Sequence, residues 1–391
     1  MQKNCGRINV LPAVFYVTGK FNEPKLRKSK MKKELELYLH IPFCIRKCEY
    51  CDFLSGPADE KSRRVYLDAM LRELAAVGPQ AKEYEVISVY IGGGTPSLLP
   101  GDWMEELMEV VRDTYCLKKD AEISMEANPG TLTAINLAGY HRAGINRLSL
   151  GCQSTDDTEL KLLGRIHTWA QFQESFQMAR EAGFANLNVD LMSGLPGQNL
   201  TSWEKSLEVI AGMEPEHISA YELSYEAGTP LTRALEAGTI SAHGDEAAGE
   251  MYTQICALLR GQGYEHYEIS NFAKPGFASR HNLHYWACGE YYAFGAAAHG
   301  YLNGRRFSVV RDTDAYIART RGEVYDESCD DFPAGRISDE EAEEERIFLG
   351  LRTAEGILLT PALEAKLESQ AAFFTRCEEA GLLARNGGRL R

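Results

Sequence analysis

The chain has 391 residues, 44% of them apolar, with 42 Lys/Arg against 56 Asp/Glu and a net charge of −14. That length buries a large core as one big domain with an appendage, and the acidic balance argues against a nucleic-acid partner. No apolar run approaches the ~20 residues of a membrane span, so there is no integral membrane segment and any membrane contact is peripheral.

The charge is unevenly spread. Residues 1–33 carry nine Lys/Arg against Glu23 alone, a local +8 that leaves −22 on the remainder. The apolar patch within this head, Val10 to Val17, is short, contains Pro12 and lacks a small-residue cleavage site after it. Residues 1–33 therefore read as a basic, disordered extension, or as an upstream start ahead of Met31. Outside one cluster the ten cysteines are scattered (Cys5, Cys116, Cys152, Cys256, Cys288, Cys329, Cys377) without framework spacing, which fits a cytoplasmic redox poise.

From residue 35 onward, short apolar runs alternate with amphipathic helical stretches, the pattern of βα units on a parallel sheet. Strand 1 is predicted over Leu35 to Ile41. The loop after it, Cys44-Ile-Arg-Lys-Cys48-Glu-Tyr-Cys51, places three thiols within eight residues. Thiolates select zinc, copper(I) or iron–sulfur clusters. A cubane held by three cysteines leaves one iron open, whereas a zinc knuckle would recruit His40 or Asp52 as a fourth ligand; a disulfide is the remaining alternative. A helix follows over 61–77.

Further strands are expected over 86–91, 121–126, 147–150, 186–192 and 217–223. Helices are expected over 102–115, 132–143, 156–163, 170–182 and 201–213. Six units predict an incomplete (β/α)6 barrel over 34–225. The polar residues Gly92 to Pro96, Glu126 to Pro129, Gly151 to Gln153, Asp190, Gly194 to Gly197 and Glu222 fall at or just past strand C-terminal ends, the face that carries active sites in barrel enzymes. Taken singly, each Gly or Pro is an ordinary turn residue.

An extension over 226–330 begins with helices near 229–237 and 245–262 and a strand-like run over 264–272. The segment Ser279 to Trp286 and the Gly/Ala-rich run Phe294 to Gly300 follow. A small, mainly helical C-terminal domain is expected over 331–391. Ser338 with Glu341 reads as a capping box, and 362–380 as one helix ended by Gly381.

The cysteine loop and Gly92-Gly-Gly-Thr-Pro96 resemble the radical S-adenosylmethionine (SAM) superfamily, and the wider motif set is similar to its branch of oxygen-independent coproporphyrinogen III oxidases and HemW-type haem chaperones. The likeness covers roughly residues 35 to 360. It implies a radical SAM barrel, a [4Fe–4S] cluster on Cys44, Cys48 and Cys51, and SAM lined by Tyr38, Tyr50, Gly93, Gly94, Thr95, Glu126, Gln153, Arg165 and Asp190. In such proteins one electron from the cluster cleaves SAM to methionine and a 5′-deoxyadenosyl radical. The side-chain chemistry agrees, since Arg165 suits a carboxylate, while Glu126 and Asp190 suit hydroxyls or an ammonium.

Two features favour the haem chaperones over the porphyrin-biosynthetic oxidases, which decarboxylate coproporphyrinogen III. Asp52-Phe53 stands where the oxidases continue with another cysteine, and His281-Asn282-Leu-His-Tyr285-Trp286 matches the H-N-x-x-Y-W motif. By the resemblance these residues contact haem. Core packing of Tyr285 and Trp286, or a zinc site of His281, His284, Cys288 and His299, are the alternatives. At Gly295-Ala-Ala-Ala-His-Gly300 the chain departs from the more usual Gly-x-Gly-Ala-His-Ser. The resemblance also implies haem-accepting partner proteins and a flavodoxin- or ferredoxin-like reductant.

Overall fold

The computed structural model describes residues 32–322 and 336–391. The basic head lies outside them save for Lys32 and Lys33, as does the expected boundary near residue 330.

The six predicted units are all present: β1 (Lys33–Ile41), α1 (Glu60–Val77), β2 (Tyr84–Gly93), α2 (Gly101–Thr114), β3 (Leu117–Ala127), α3 (Ala134–Arg142), β4 (Arg147–Gln153), α4 (Asp157–Leu162), α5 (Trp169–Glu181), β5 (Leu187–Ser193), α6 (Leu200–Gly212) and β6 (His217–Glu222). The end that moved most is the start of β3, at Leu117 rather than Ala121. Consecutive strands pair in parallel from β1 to β6. Because helices cover the outer face and side chains fill the inner one, β4 is buried at every position. Helix starts follow local chemistry, as at α5, where Thr168 and Gln171 form a reciprocal capping box.

The extension supplies α7 (Pro230–Glu236), α8 (Asp245–Gly261), β7 (Glu265–Glu268), β8 (Asn271–Ala273), α9 (Arg280–Trp286), β9 (Tyr291–Phe294), β10 (His299–Leu302), β11 (Arg305–Ser308) and α10 (Thr313–Arg319). Its strands lengthen the parallel sheet at both edges, giving eleven strands in the order β11-β10-β9-β1-β2-β3-β4-β5-β6-β8-β7. The sheet does not close, as an incomplete barrel requires. The run 264–272 resolves into two short antiparallel strands. The pairing of β9 with β1 was not foreseen, since four residues of Tyr-Tyr-Ala-Phe carry no alternation that separates strand from loop.

After residue 335 come α11 (Asp339–Gly350), β12 (Ile357–Leu358), α12 (Pro361–Ser369), α13 (Ala371–Glu379), β13 (Arg385–Asn386) and β14 (Arg389–Leu390). The predicted capping box opens α11, with Glu341 N–H donating to Ser338 Oγ at 3.2 Å and Ser338 N–H to Glu341 Oε2 at 2.7 Å. The single helix expected over 362–380 is two, broken at Gln370 without a Gly or Pro there. Ile357, Leu363, Leu367 and Leu390 form a small core of their own. Among the described residues no helix is long and apolar enough to cross a membrane.

Candidate cofactor sites at the cysteine loop

Two neighbouring cavities share the cysteine loop. The first, of about 170 Å³, is lined by Cys44, Cys48 and Cys51 together with Tyr50, Gly93, Gly94, Thr95, Glu126, Gln153, Arg165 and Asp190. All three cysteines are free thiols, half-buried. Thr95 Oγ1 donates to Cys44 Sγ at 3.4 Å and Arg165 Nη1 to Cys48 Sγ at 3.5 Å. Donors aimed at sulfur favour thiolates, and hydrogen bonds to sulfur are among the features that tune iron–sulfur centres. Among the described residues no three His, Cys, Asp or Glu side chains converge on a single-ion position. In a cubane each thiolate takes its own iron, so the donor set fits that group.

The glycines of the 92–94 loop have a steric reason. Gly94 sits where a Cβ would lie 2.6 Å from the Phe43 carbonyl, and Gly93 adopts φ +110°. Gly94 thus lets the loop lie close against the backbone of the cysteine loop. Gly94 N–H donates to Ile41 O at 2.8 Å, Thr95 N–H to Phe43 O at 2.7 Å, and Gly93 N–H to Glu126 Oε2 at 3.0 Å. With these N–H groups committed, the loop has acceptors to offer, which suits an ammonium.

Glu126 also accepts from Tyr90 O–H at 2.9 Å, yet burial pushes its carboxyl up to about 7. Burial likewise raises Asp190, whose oxygens accept from Asn188 at 2.7 Å and Ser149 at 3.1 Å. Gln153 lies at φ +70° beside a register shift between β4 and β5. A bulge re-aims a side chain, and left-handed backbone at a glutamine is a strain found at functional sites. The Arg165 guanidinium bonds Asn128 Oδ1 and the Gly151 carbonyl through Nη2, leaving Nε buried without a partner.

Tyr38 does not reach this cavity. It lines the second one, of about 380 Å³, with His40, Asp52, Phe53, His281, Tyr285, Tyr291, His299 and Arg311. His40 Nε2–H donates to the Leu54 carbonyl at 3.2 Å, so Nδ1 accepts from Tyr38 O–H at 2.9 Å. Both ring nitrogens are therefore engaged, and His40 is not available as a zinc ligand. Asp52 lies 3.6 Å from Arg311.

The H-N-x-x-Y-W segment forms α9, capped by Ser279, whose Oγ accepts from Asn282 N–H at 3.2 Å. Helical spacing divides the motif: positions 281 and 285 share one face, 282 and 286 the next. His281 and Tyr285 look into the second cavity, Asn282 lines a polar chamber inside the sheet, and Trp286 packs under the Arg352 guanidinium at 4.5 Å. His284 turns to the Glu290 carbonyl at 3.3 Å. Cys288 lines neither cavity. His281 is stacked on Tyr90 at 5.0 Å, and its Nδ1 lies 2.8 Å from Ser88 Oγ and 3.4 Å from Glu36 Oε2. Burial lowers this imidazole to about 3 and raises Glu36 to about 9.

Three participants escaped the sequence reading. Tyr221 lines the first cavity and donates to Gln153 Oε1 at 2.9 Å, while Glu222, the residue singled out, is exposed. Period-two alternation through His217, Ser219 and Tyr221 was the signal. Glu36 shares a strand face with Tyr38 and is fully buried, an unusual place for a carboxyl. Ser88 opposes it on β2.

The family model of the radical SAM superfamily matches residues 38–210. Heme chaperone HemW of Bacillus subtilis is 37% identical over 328 residues, covering 82% of this chain and 84% of that protein. HemW of Escherichia coli is 40% identical over 280 residues, covering 71% and 73%. The solved structure of the radical SAM enzyme coproporphyrinogen III oxidase (HemN) from Escherichia coli superposes with a TM-score of 0.75 over 92% of this chain and 86% of that one, at 20% identity. That last likeness is one of fold.

Proposed function

The chain belongs to the HemW family within the radical SAM superfamily, and from that premise we propose that it is a cytoplasmic haem chaperone. On this reading it carries a [4Fe–4S] cluster and SAM at the cysteine cavity, takes haem in the neighbouring cavity and hands it to acceptor proteins. A flavodoxin- or ferredoxin-like protein would supply electrons.

Cys44, Cys48 and Cys51 would hold the cluster, which when bound would supply one electron to the SAM sulfonium. Glu126 and Asp190 would hold ribose hydroxyls or the ammonium, and Arg165, whose Nε has no partner of its own, would pair with the carboxylate. Gln153 and Tyr221, bonded to each other, complete the lining.

The haem assignment rests on the contrast between two imidazoles facing one cavity. His40 has both nitrogens engaged; His281 has only Nδ1 engaged and keeps Nε2 for a ligand. Phe53, Tyr285 and Tyr291 offer flat apolar walls for a macrocycle, and Arg311 a cation for its carboxylates. Asn282 and Trp286 anchor the helix that carries His281. The cavity is of a size usual for small-molecule sites.

Anaerobically reconstituted protein, assayed in parallel for haem binding and coproporphyrinogen turnover, tests this directly. One haem per chain without protoporphyrinogen formation is expected. Catalytic turnover without haem binding would replace the chaperone by the oxidase.

A further inference from the structure

Glu36 is the most deeply buried carboxyl near either cavity. It is fully shielded from solvent at the start of β1, and its Oε2 has no hydrogen-bond donor of its own. An unpaired buried carboxyl is costly unless something uses it. Two register shifts place it: one between Leu35 and Glu36 on β1, the other between Val86 and Ser88 on β2. Such shifts turn side chains out of the regular alternation. Here they bring Glu36 and Ser88 together beneath the His281 ring.

The hydrogen bonds run in one direction. Ser88 O–H donates to Glu36 Oε1 at 2.8 Å, which leaves Ser88 Oγ as an acceptor for His281 Nδ1 at 2.8 Å. Glu36 Oε2 stands 3.4 Å from the same nitrogen. The helix bearing His281 is pinned as well: Glu122 accepts from the backbone N–H groups of Arg280 and His281, each at 3.3 Å, and pairs with Arg147 at 3.1 Å. Ring, tautomer and helix are fixed together.

We propose that Glu36, acting through Ser88, is the positioning residue that holds the His281 proton on Nδ1 and presents the Nε2 lone pair to the haem iron. An imidazole that ligates iron through Nε2 carries its proton on Nδ1, and the acceptors within reach of that proton are Ser88 Oγ and Glu36. An acceptor for Nδ1–H fixes the tautomer and orientation of a ligating histidine, and Glu36 provides it by taking the Ser88 hydroxyl proton on Oε1; losing such support typically costs 10–100-fold in metal affinity. His40, bonded through both nitrogens to Tyr38 and Leu54, has no such partner. This inference rests on the haem reading of the same cavity.

The test uses the full chain loaded with haem and compares wild type, Glu36→Leu, Ser88→Ala and His281→Ala. In Glu36→Leu, which removes the acceptor, haem affinity should fall about 10–100-fold, the ferrous iron–imidazole stretch should move to lower frequency, and the haem reduction potential should rise. Ser88→Ala should move all three readouts the same way, which guards against a Glu36→Leu chain that folds poorly. If His281→Ala shifts the Soret band while neither Glu36→Leu nor Ser88→Ala alters stretch or potential, the role of Glu36 is overturned and haem ligation stands. If His281→Ala leaves the Soret band and affinity unchanged, the underlying haem site is wrong and the role of Glu36 falls with it.

Discussion

The two cavities on either side of the Cys51–Leu54 segment are built in opposite ways. The cysteine cavity draws its residues from the loop after β1, from the C-terminal ends of the consecutive strands β2 to β6 and from the segments just after them. The histidine cavity joins β1, the end of the cysteine loop, α9, β9 and the turn before β10, segments up to about 270 residues apart in the chain. Burial raises carboxyls at both, Glu126 and Asp190 lining the first and Glu36 beneath the His281 ring at the second, with a difference in donors. Glu126 accepts from Tyr90 and Gly93 and rises to about 7; Glu36 accepts from Ser88 alone and rises to about 9. Donors to a carboxylate offset its desolvation, so the cysteine cavity accommodates charge more readily than the histidine cavity does.

The sharpest way to separate the cavities is to empty one. Replacing Cys44, Cys48 and Cys51 together by Ala should abolish the brown chromophore of the reconstituted protein completely while haem still binds, because His281, Tyr285 and Arg311 are untouched. Iron analysis and haem titration on the same sample read both. Full cluster loading, or stoichiometric zinc in the wild type, would place the ligands or the metal elsewhere.

Next in size is Arg165→Ala. The guanidinium links Cys48 Sγ, Asn128 and the Gly151 carbonyl, and its loss should weaken SAM by about 2–3 kcal/mol, on the order of a hundredfold, with haem affinity unchanged. Calorimetry with SAM decides it; equal affinity removes Arg165 from the site.

The same asymmetry explains what the sequence disclosed. The cysteine cavity was legible because motif residues cluster at strand ends in a βα pattern, and Tyr50, Gly93, Gly94, Thr95, Glu126, Gln153, Arg165 and Asp190 all line it. The glycines were legible as a motif, whereas the packing of Gly94 against the Phe43 backbone was not. On the histidine side, Tyr38, expected beside SAM, lines the histidine cavity, and the H-N-x-x-Y-W segment read as one patch until helical geometry divided it. Glu36 and Ser88 were invisible because register shifts, which no local pattern announces, bring them under His281.

A smaller effect follows from the raised carboxyls. A carboxyl whose folded pKa exceeds its unfolded value stabilises the fold fully below the unfolded pKa, and that contribution is lost as pH rises through the folded pKa. Both Glu36 and Glu126 therefore reduce stability as pH rises from about 4.5 to 7, and of these two Glu36 goes on doing so between about 7 and 9. In denaturant titrations Glu36→Gln should abolish a loss of about 2 kcal/mol across that upper window, whereas Glu126→Gln should retain it. An unchanged slope in Glu36→Gln would show that the proton sits elsewhere.

The smallest effect is at Ala297, which lines the histidine cavity at φ +62°. A non-glycine residue there is strained by about 1 kcal/mol, part of which the more flexible unfolded chain of a glycine variant offsets. Ala297→Gly should raise stability by about 0.5 kcal/mol.

The central claim is that haem is held by His281 in a cavity separate from the cluster and SAM. It is tested most directly by titrating haem into reconstituted His281→Ala, following the Soret and cluster absorbances together and checking the thermal transition. The account predicts a shifted Soret band or lost haem retention, with the cluster spectrum, SAM affinity and thermal transition as in wild type. An unaltered Soret band at wild-type affinity in that folded variant would contradict it.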